Sequence, residues 1–300
     1  MNIKKVITHG GPIAHKDEFV AISLALSHYG MVPVLRRDPT ADELADPKVM
    51  VIDVGEKYQA DLHNFDHHQM KGRSWPTCSI TLVLRHISQL KGWDFSTVNN
   101  LLPWLSFCEW MDSNGPTKTA KWLGMPEKMI DKTICPIASA LLGLFGEYQS
   151  AGVGMNDEPV SDLLLGMMQG IGDSILDGIG ETISMLKELR QSSNGVKSVH
   201  GINYMMMPMA SSKASTDAIG MYVDEVERSL GASIHVIVSP DNRGDGLSLY
   251  RRNDHEDVDF YNCVDHEDVK FAHMGGFIVK THDDLADVPA ILRMARRDEF

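Results

Sequence analysis

Cysteine is scarce in this sequence: four in 300 residues, at Cys78, Cys108, Cys135 and Cys263. They are far apart and form no C-x-x-C pair, which argues against a thiolate zinc knuckle and against a disulfide framework. Reduced, mostly buried thiols in a cytoplasmic protein are the expectation. No apolar run approaches a membrane span, and the opening Met1-Asn2-Ile3-Lys4-Lys5-Val6-Ile7 is too short in apolar run for a signal peptide. Positive charge is also in deficit, with 28 Lys and Arg against 41 Asp and Glu and a formal net charge of -13. That disfavours a passive, non-specific nucleic-acid binder, whose footprint is basic. It leaves a nuclease open, because metal sites are themselves built from carboxylates. An H-E-x-x-H helix is missing, which removes the usual zinc peptidase reading.

What remains is an ordinary globular composition, 43% hydrophobic and 23% charged. The length exceeds what one core usually holds, so two domains are expected. The first, 1–192, opens with strand, helix, strand, short helix and strand: Lys4 to Thr8, Asp17 to His28, Met31 to Leu35, Ala41 to Ala45 and Val49 to Ile52. This spacing predicts an α/β fold with a doubly wound, mostly parallel sheet. Helices are expected over Ile80 to Leu90, Ser96 to Met111, Lys118 to Leu123, Ile137 to Gln149 and Val160 to Arg190. The last carries five glycines, which predicts a kink or break. Gln191-Ser192-Ser193-Asn194-Gly195 reads as a linker. A second, smaller α/β domain is expected over 198–300. Its strands are Val199 to Met207, Ile234 to Val238, Leu247 to Arg251 and Phe271 to Val279, and its helices Asp217 to Leu230 and Leu285 to Arg296.

Ligand-type residues collect at the strand ends of the first domain. His9 and Asp53 each lie just past a predicted strand, on the edge where ligands bind in such sheets. His15 and Asp17 stand at the start of the first helix, where Asp17 could equally be a cap. Asp66-His67-His68 places three such groups in succession. Asp112 ends an apolar helix before a turn, and alone it reads as well as a turn residue. Together these sets offer imidazole and carboxylate for two cations sharing a carboxylate. Such a pair can hold the attacking and leaving oxygens of a displacement at phosphorus.

The order of these motifs resembles the DHH phosphoesterase superfamily. Thr8-His9-Gly10-Gly11, His15-Lys16-Asp17-Glu18, Val51-Ile52-Asp53-Val54-Gly55 and Phe65-Asp66-His67-His68-Gln69 are similar to its melanocyte-proliferating-gene branch. The loop from His9 to His15 departs from that pattern, with Pro12-Ile13-Ala14 where an aromatic is usual. The resemblance implies two divalent ions, Mn²⁺ first, with Mg²⁺, Zn²⁺ or Fe²⁺ as alternatives. His9, His15, Asp17, His67 and Asp112 would ligate them and Asp53 would bridge them. Asp53 and His68 would be the catalytic pair, His68 facing the scissile phosphate and Asp66 orienting a histidine.

The second domain resembles the DHH-associated substrate-binding domain less closely. Arg243, Arg251, Arg252, His273, Gly275 and Gly276 would hold substrate there, since guanidinium groups and glycine amides suit phosphate. For Arg251 and Arg252 a solvated strand edge is the competing reading. The implied activity is hydrolysis of a phosphodiester by activated water, as a 3'-5' exonuclease or an oligonucleotide or dinucleotide phosphodiesterase. Partners would be short RNA or DNA ends or nucleotide phosphoesters, with no membrane and with a homo-oligomer allowed. Inorganic pyrophosphatase and a non-catalytic metal-stabilised binding protein are the rivals. The echo Asp254-His255-Glu256-Asp257 and Asp265-His266-Glu267-Asp268 reads as a coincidence or paired turn.

Overall fold

The structure, a computed structural model, describes residues 2–70, 75–130, 135–148, 158–192 and 194–297. Ser193 of the expected linker, Gln149 of an expected helix and residues 298–300 of the expected second domain lie outside the described residues. The chain divides into two units, Met1–Ile179 and Gly180–Phe300. The division falls inside a helix, not at the polar segment after it. The chain is mixed α/β.

In the first unit a five-stranded sheet is built from β1 (Lys5–Thr8), β2 (Val34–Arg36), β3 (Val49–Ile52), β4 (Tyr58–Gln59) and β5 (Asn64–Phe65). The order is β2-β1-β3-β5-β4, parallel except for the β4–β5 pair. All four residues of β3, Val-Met-Val-Ile, are buried. That pattern suits a parallel strand covered on both faces, which needs no polar alternation. The chain leaves β1 for β2 on one side and crosses back to β3 on the other. The carboxyl ends of β1 and β3 therefore flank a switch point, where a crevice for ligands opens. Helix α1 (Lys16–Tyr29) connects β1 to β2 and buries Phe19, Ile22, Leu24 and Leu26. A five-residue α2 (Ala41–Ala45) precedes β3, capped by Thr40.

Helix α3 (Ser79–Lys91) packs against α1. The single helix expected over Ser96 to Met111 is two, α4 (Phe95–Asn100) and α5 (Pro103–Trp122). Proline suits the first position of a helix but cannot continue one, so Pro103 starts a new element. Helix α5 also absorbs the expected Lys118 to Leu123 segment, bending at Gly115 (φ 74) before Pro116. Helix α6 spans Pro136–Gly146.

The break expected from the glycines of α7 (Asp162–Gln191) is not found; the helix is continuous. One glycine there serves packing. A Cβ on Gly172 would lie 2.0 Å from the Ser23 carbonyl oxygen of α1. The two backbones approach closely only because that side chain is missing.

The second unit holds β6 (Val196–Val199), β7 (Ile202–Met206), α8 (Lys213–Leu230), β8 (Val236–Pro240), β9 (Leu247–Arg251), β10 (Val269–Ala272), β11 (Ile278–Thr281) and α9 (Val288–Ala295). Its sheet runs β10-β11-β9-β8-β7-β6 and is antiparallel except between β7 and β8. Two expected single strands are hairpins. Val199 to Met207 turns at His200 (φ 48) and Gly201 (φ 82), and Phe271 to Val279 turns through His273–Gly276. One sheet face packs Met205, Met207 and Ile237 with Ile219 and Val223 of α8. The other packs Val236, Val238, Leu249 and Val279 with Ile291 and Leu292 of α9. Among the described residues no helix is long and apolar enough to cross a membrane.

Candidate metal centre

Each strand end delivers one side chain, and the backbone fixes where. His9 follows β1 and Asp53 follows β3. The Asp53 amide donates to the Phe65 carbonyl at 3.1 Å. This bond pins Asp53 beside the turn that carries Asp66-His67-His68. Asp53 has φ 60, left-handed for a residue with a side chain. Such a conformation costs on the order of 1–2 kcal/mol and concentrates at functional sites.

Asp17 and Glu18 open α1, and both are buried. The Asp17 carboxylate accepts from the Ser79 and Ile80 amides, each at 2.8 Å. It thus caps a helix, as the capping alternative allows, but that helix is α3. Its Oδ2 also lies 4.0 Å from His67 Nε2. Glu18 Oε1 accepts from the His15 amide at 3.1 Å and from Arg36 at 3.3 Å, which leaves Oε2 against His9 Nε2. Arg36 is fully buried and braces this carboxylate with bonds to the Phe145 and Ile13 carbonyls.

Two clusters result. His9, His15, Glu18 and Asp53 bring one ligand atom each within 4.8 Å of the others, and so do Asp17, His67 and Asp112. Asp53 touches both. Its Oδ2 is 3.7 Å from His9 Nε2 and its Oδ1 is 3.3 Å from His67 Nε2. His67 Nε2 is in turn 2.8 Å from Asp112 Oδ2. Asp66 is buried and accepts at Oδ1 from His68 Nδ1 (2.6 Å) and the His68 amide (3.0 Å), and at Oδ2 from the Glu56 amide (2.6 Å). A cavity of about 600 Å³ is lined by His9, His15, Asp53, Asp66, His68 and Asp112.

The donor set fits a divalent cation. His9 Nε2, Glu18 Oε2, His67 Nε2 and Asp112 Oδ2 are all buried and lack a hydrogen-bond partner of proper geometry. They face each other in two pairs, His9 with Glu18 and His67 with Asp112, and either a proton or a cation between the partners satisfies each pair. Proton affinities say the same. The Glu18 carboxylate against its ring holds His9 up at about 9. Burial opposes charge on His67, yet bonds to Asp112 and Asp53 lift it to about 10. Burial, with repulsion from Asp53 and Asp112, raises Asp17 to about 7. Burial likewise raises Glu18, with His9 working against it. Imidazole and carboxylate ligands of this kind suit Mn, Fe, Zn or Mg.

All of the expected ligand positions thus meet in the first unit. His9 sits closer to Glu18 and Asp53 than His15, which is half-exposed. Sequence reasoning missed Glu18 as a candidate ligand and Arg36 as its brace. An acidic residue in a first turn reads as a dipole partner; its signal was the H-x-D-E run itself.

The expected substrate residues lie in the second unit. Arg251 and Arg252, expected to hold substrate, have partners within the second unit. Arg251 is buried, donates to the Val258 carbonyl at 2.7 Å and the Gly275 carbonyl at 3.3 Å, and pairs with Asp254. Arg252 pairs with Asp224 and, at 2.7 Å, with Glu227. Arg243 is exposed in the β8–β9 turn. His273 Nδ1 accepts from the Gly275 amide at 2.9 Å. Gly276 has φ 64, and a Cβ there would strike the Asp259 carboxylate.

No curated protein matches the chain. Residues 5–86, which carry this site's ligand-type side chains except Asp112, match the model of the family MYG1_exonuc, described as an uncharacterised protein family (UPF0160), whose name points to an exonuclease.

Proposed function

We propose that the protein is a metal-dependent phosphodiester hydrolase of the DHH type, acting on the ends of short RNA or DNA or on dinucleotides. The observation that carries this reading is Asp53, whose two oxygens face separate His and carboxylate clusters. His9, His15 and Glu18 would hold one ion; Asp17, His67 and Asp112 would hold the other. When bound, a pair of divalent ions, Mn²⁺ foremost, supplies charge neutralisation at phosphorus and lowers the proton affinity of water.

The chain's own residues do the rest. Asp53 holds both clusters in one frame. Asp66 occupies His68 Nδ1, which leaves Nε2 to donate toward a phosphate oxygen in the cavity. The hydrogen bond that His68 donates to Asp66 raises the His68 pKa and so favours the donating form. In the second unit, Arg251 braces the His273–Gly276 turn through its bond to the Gly275 carbonyl.

Purified protein supplied with Mn²⁺ should hydrolyse bis-p-nitrophenyl phosphate and short oligonucleotides, and Asp53→Ala should not. Ion binding with no turnover on any phosphoester would overturn the reading. Phosphate release from pyrophosphate, with no nucleotide product, would favour an inorganic pyrophosphatase instead.

A further inference from the structure

Helix α3 is capped from outside. Cys78, the residue before it, makes no side-chain capping bond, and the Asp17 carboxylate of α1 takes that role. Serine is a common cap, but Ser79 stands one position too late for it, as the first helical residue. Its hydroxyl is therefore not spent on the helix. Ser79 is fully buried, and a buried hydroxyl needs a partner. Ser79 Oγ donates to Asp53 Oδ1 at 3.2 Å, and the Ser79 amide donates to Asp17 Oδ2 at 2.8 Å. One residue thus holds a carboxylate at the head of α1 and another at the end of β3.

The bond to Asp53 has a geometric consequence. The Asp53 backbone is pinned by its amide bond to Phe65. Its carboxylate is not, because the last torsion of an aspartate side chain is broad. Oδ1 lies 3.3 Å from His67 Nε2, and Oδ2 lies 3.7 Å from His9 Nε2. One oxygen serves each cluster only while the carboxylate is kept from turning. The two histidines cannot keep it there in a loaded site, since a ring nitrogen that ligates an ion has no proton to donate. His68 Nδ1 is 3.9 Å away and bonded to Asp66. Among the described residues, Ser79 is the side-chain donor to Asp53 that an ion would leave in place.

We propose that Ser79 is a positioning residue that makes Asp53 a bridge between two ions and not a two-oxygen ligand of one. The inference rests on the two-ion reading above. With the hydroxyl gone, the Asp53 carboxylate turns and gives both oxygens to a single ion. The other ion is then left with its remaining ligands alone.

The test is calorimetric titration of Mn²⁺ into the ion-free full chain, wild type and Ser79→Ala, with thermal melts of the same ion-free proteins. Ser79→Ala keeps the amide bond to Asp17 and suits a first helical turn, so its melting temperature should stay within about 5 °C of wild type. The wild-type chain should take up two ions. Ser79→Ala should hold the first near wild-type affinity and the second about 10- to 100-fold more weakly, with kcat falling in step and KM changing less. Two ions bound by the variant as tightly as by wild type would overturn the proposal. So would equal weakening of both, the mark of a residue that only supports the fold. Diester hydrolysis that Ser79→Ala retains in full rejects the role of Ser79 and keeps the hydrolase. Loss of the second ion in Ser79→Ala, with no hydrolysis by either protein, does the reverse. A wild-type chain that binds a single ion overturns the bridge itself.

Discussion

Asp17 and Glu18 are neighbours in the chain, yet their carboxylates serve opposite clusters of the site. Asp17 faces His67 and the start of α3, and Glu18 faces His9 and His15. A helix turns about 100° per residue, so one dipeptide at the head of α1 supplies both sides. Asp17→Asn and Glu18→Gln should therefore each lose one of the two proposed ions, as counted by elemental analysis. Their structural costs should differ. Asp17→Asn leaves one α3 amide unpaired, a loss of about 1–3 kcal/mol. Glu18→Gln leaves the Arg36 charge buried without its partner, a loss of about 3–5 kcal/mol. Thermal melts of the ion-free proteins would rank the two.

Asp53 should be indispensable for chemistry but not for folding. Asparagine tolerates a left-handed backbone better than most residues. Asp53→Asn is therefore expected to keep the melting temperature of the ion-free protein within a few degrees. Hydrolysis should fall to background and both ions should be weakened. A variant that retained wild-type turnover would remove the bridging role.

Asp66 acts through His68. Asp66→Asn should cut kcat by about 10- to 100-fold, with a smaller change in KM. The His68 pKa should drop toward its ordinary value, because the bond it donates to the Asp66 carboxylate is what raises it. NMR titration of the imidazole would show this.

Ion affinity should climb with pH. An imidazole must be neutral to ligate. In the ion-free protein His9 and His67 titrate at about 9 and about 10. Both are protonated at pH 7, so ion binding must release protons. Affinity then rises through neutral pH and levels off above about 9 to 10. Ion-free stability has the opposite trend. The raised pKa values add stability that is fully present below the ordinary histidine value of 6.5 and is lost as pH rises through about 9 and 10. Calorimetric titration in two buffers of different ionisation enthalpy measures the protons, and melts in chelator measure the stability.

Gly172→Ala should destabilise the first unit by about 1–3 kcal/mol, because the added methyl overlaps the Ser23 carbonyl of α1. Gly170→Ala, where a Cβ meets nothing within 4 Å, should be neutral or stabilising. Chemical unfolding of the two variants makes the comparison.

Much of the site was legible in the sequence because its residues follow strands that are easy to read. Val49 to Ile52 is a wholly apolar run, so the position of Asp53 followed from the strand's end. Asp66-His67-His68 stood out by density alone. Glu18 did not, because an acid in a first turn has a sufficient reason to be there without any ligand. The partners of Arg251 and Arg252 are illegible for the converse reason: an arginine looks open until its carboxylate and carbonyl partners are placed, and those come from 3 to 28 residues away. The two hairpins of the second unit were read as single strands. His200-Gly201 and Gly276 reverse the chain through positive φ, which short apolar runs on either side conceal.

The bonds from the Ser79 and Ile80 amides to Asp17 give the site a built-in witness. Those two hydrogens bond the two oxygens of a carboxylate whose Oδ2 also borders His67, so any cation drawing on that carboxylate competes with them for its electrons. Their exchange with deuterated solvent would register occupancy from within the backbone, without a substrate, a label or a turnover.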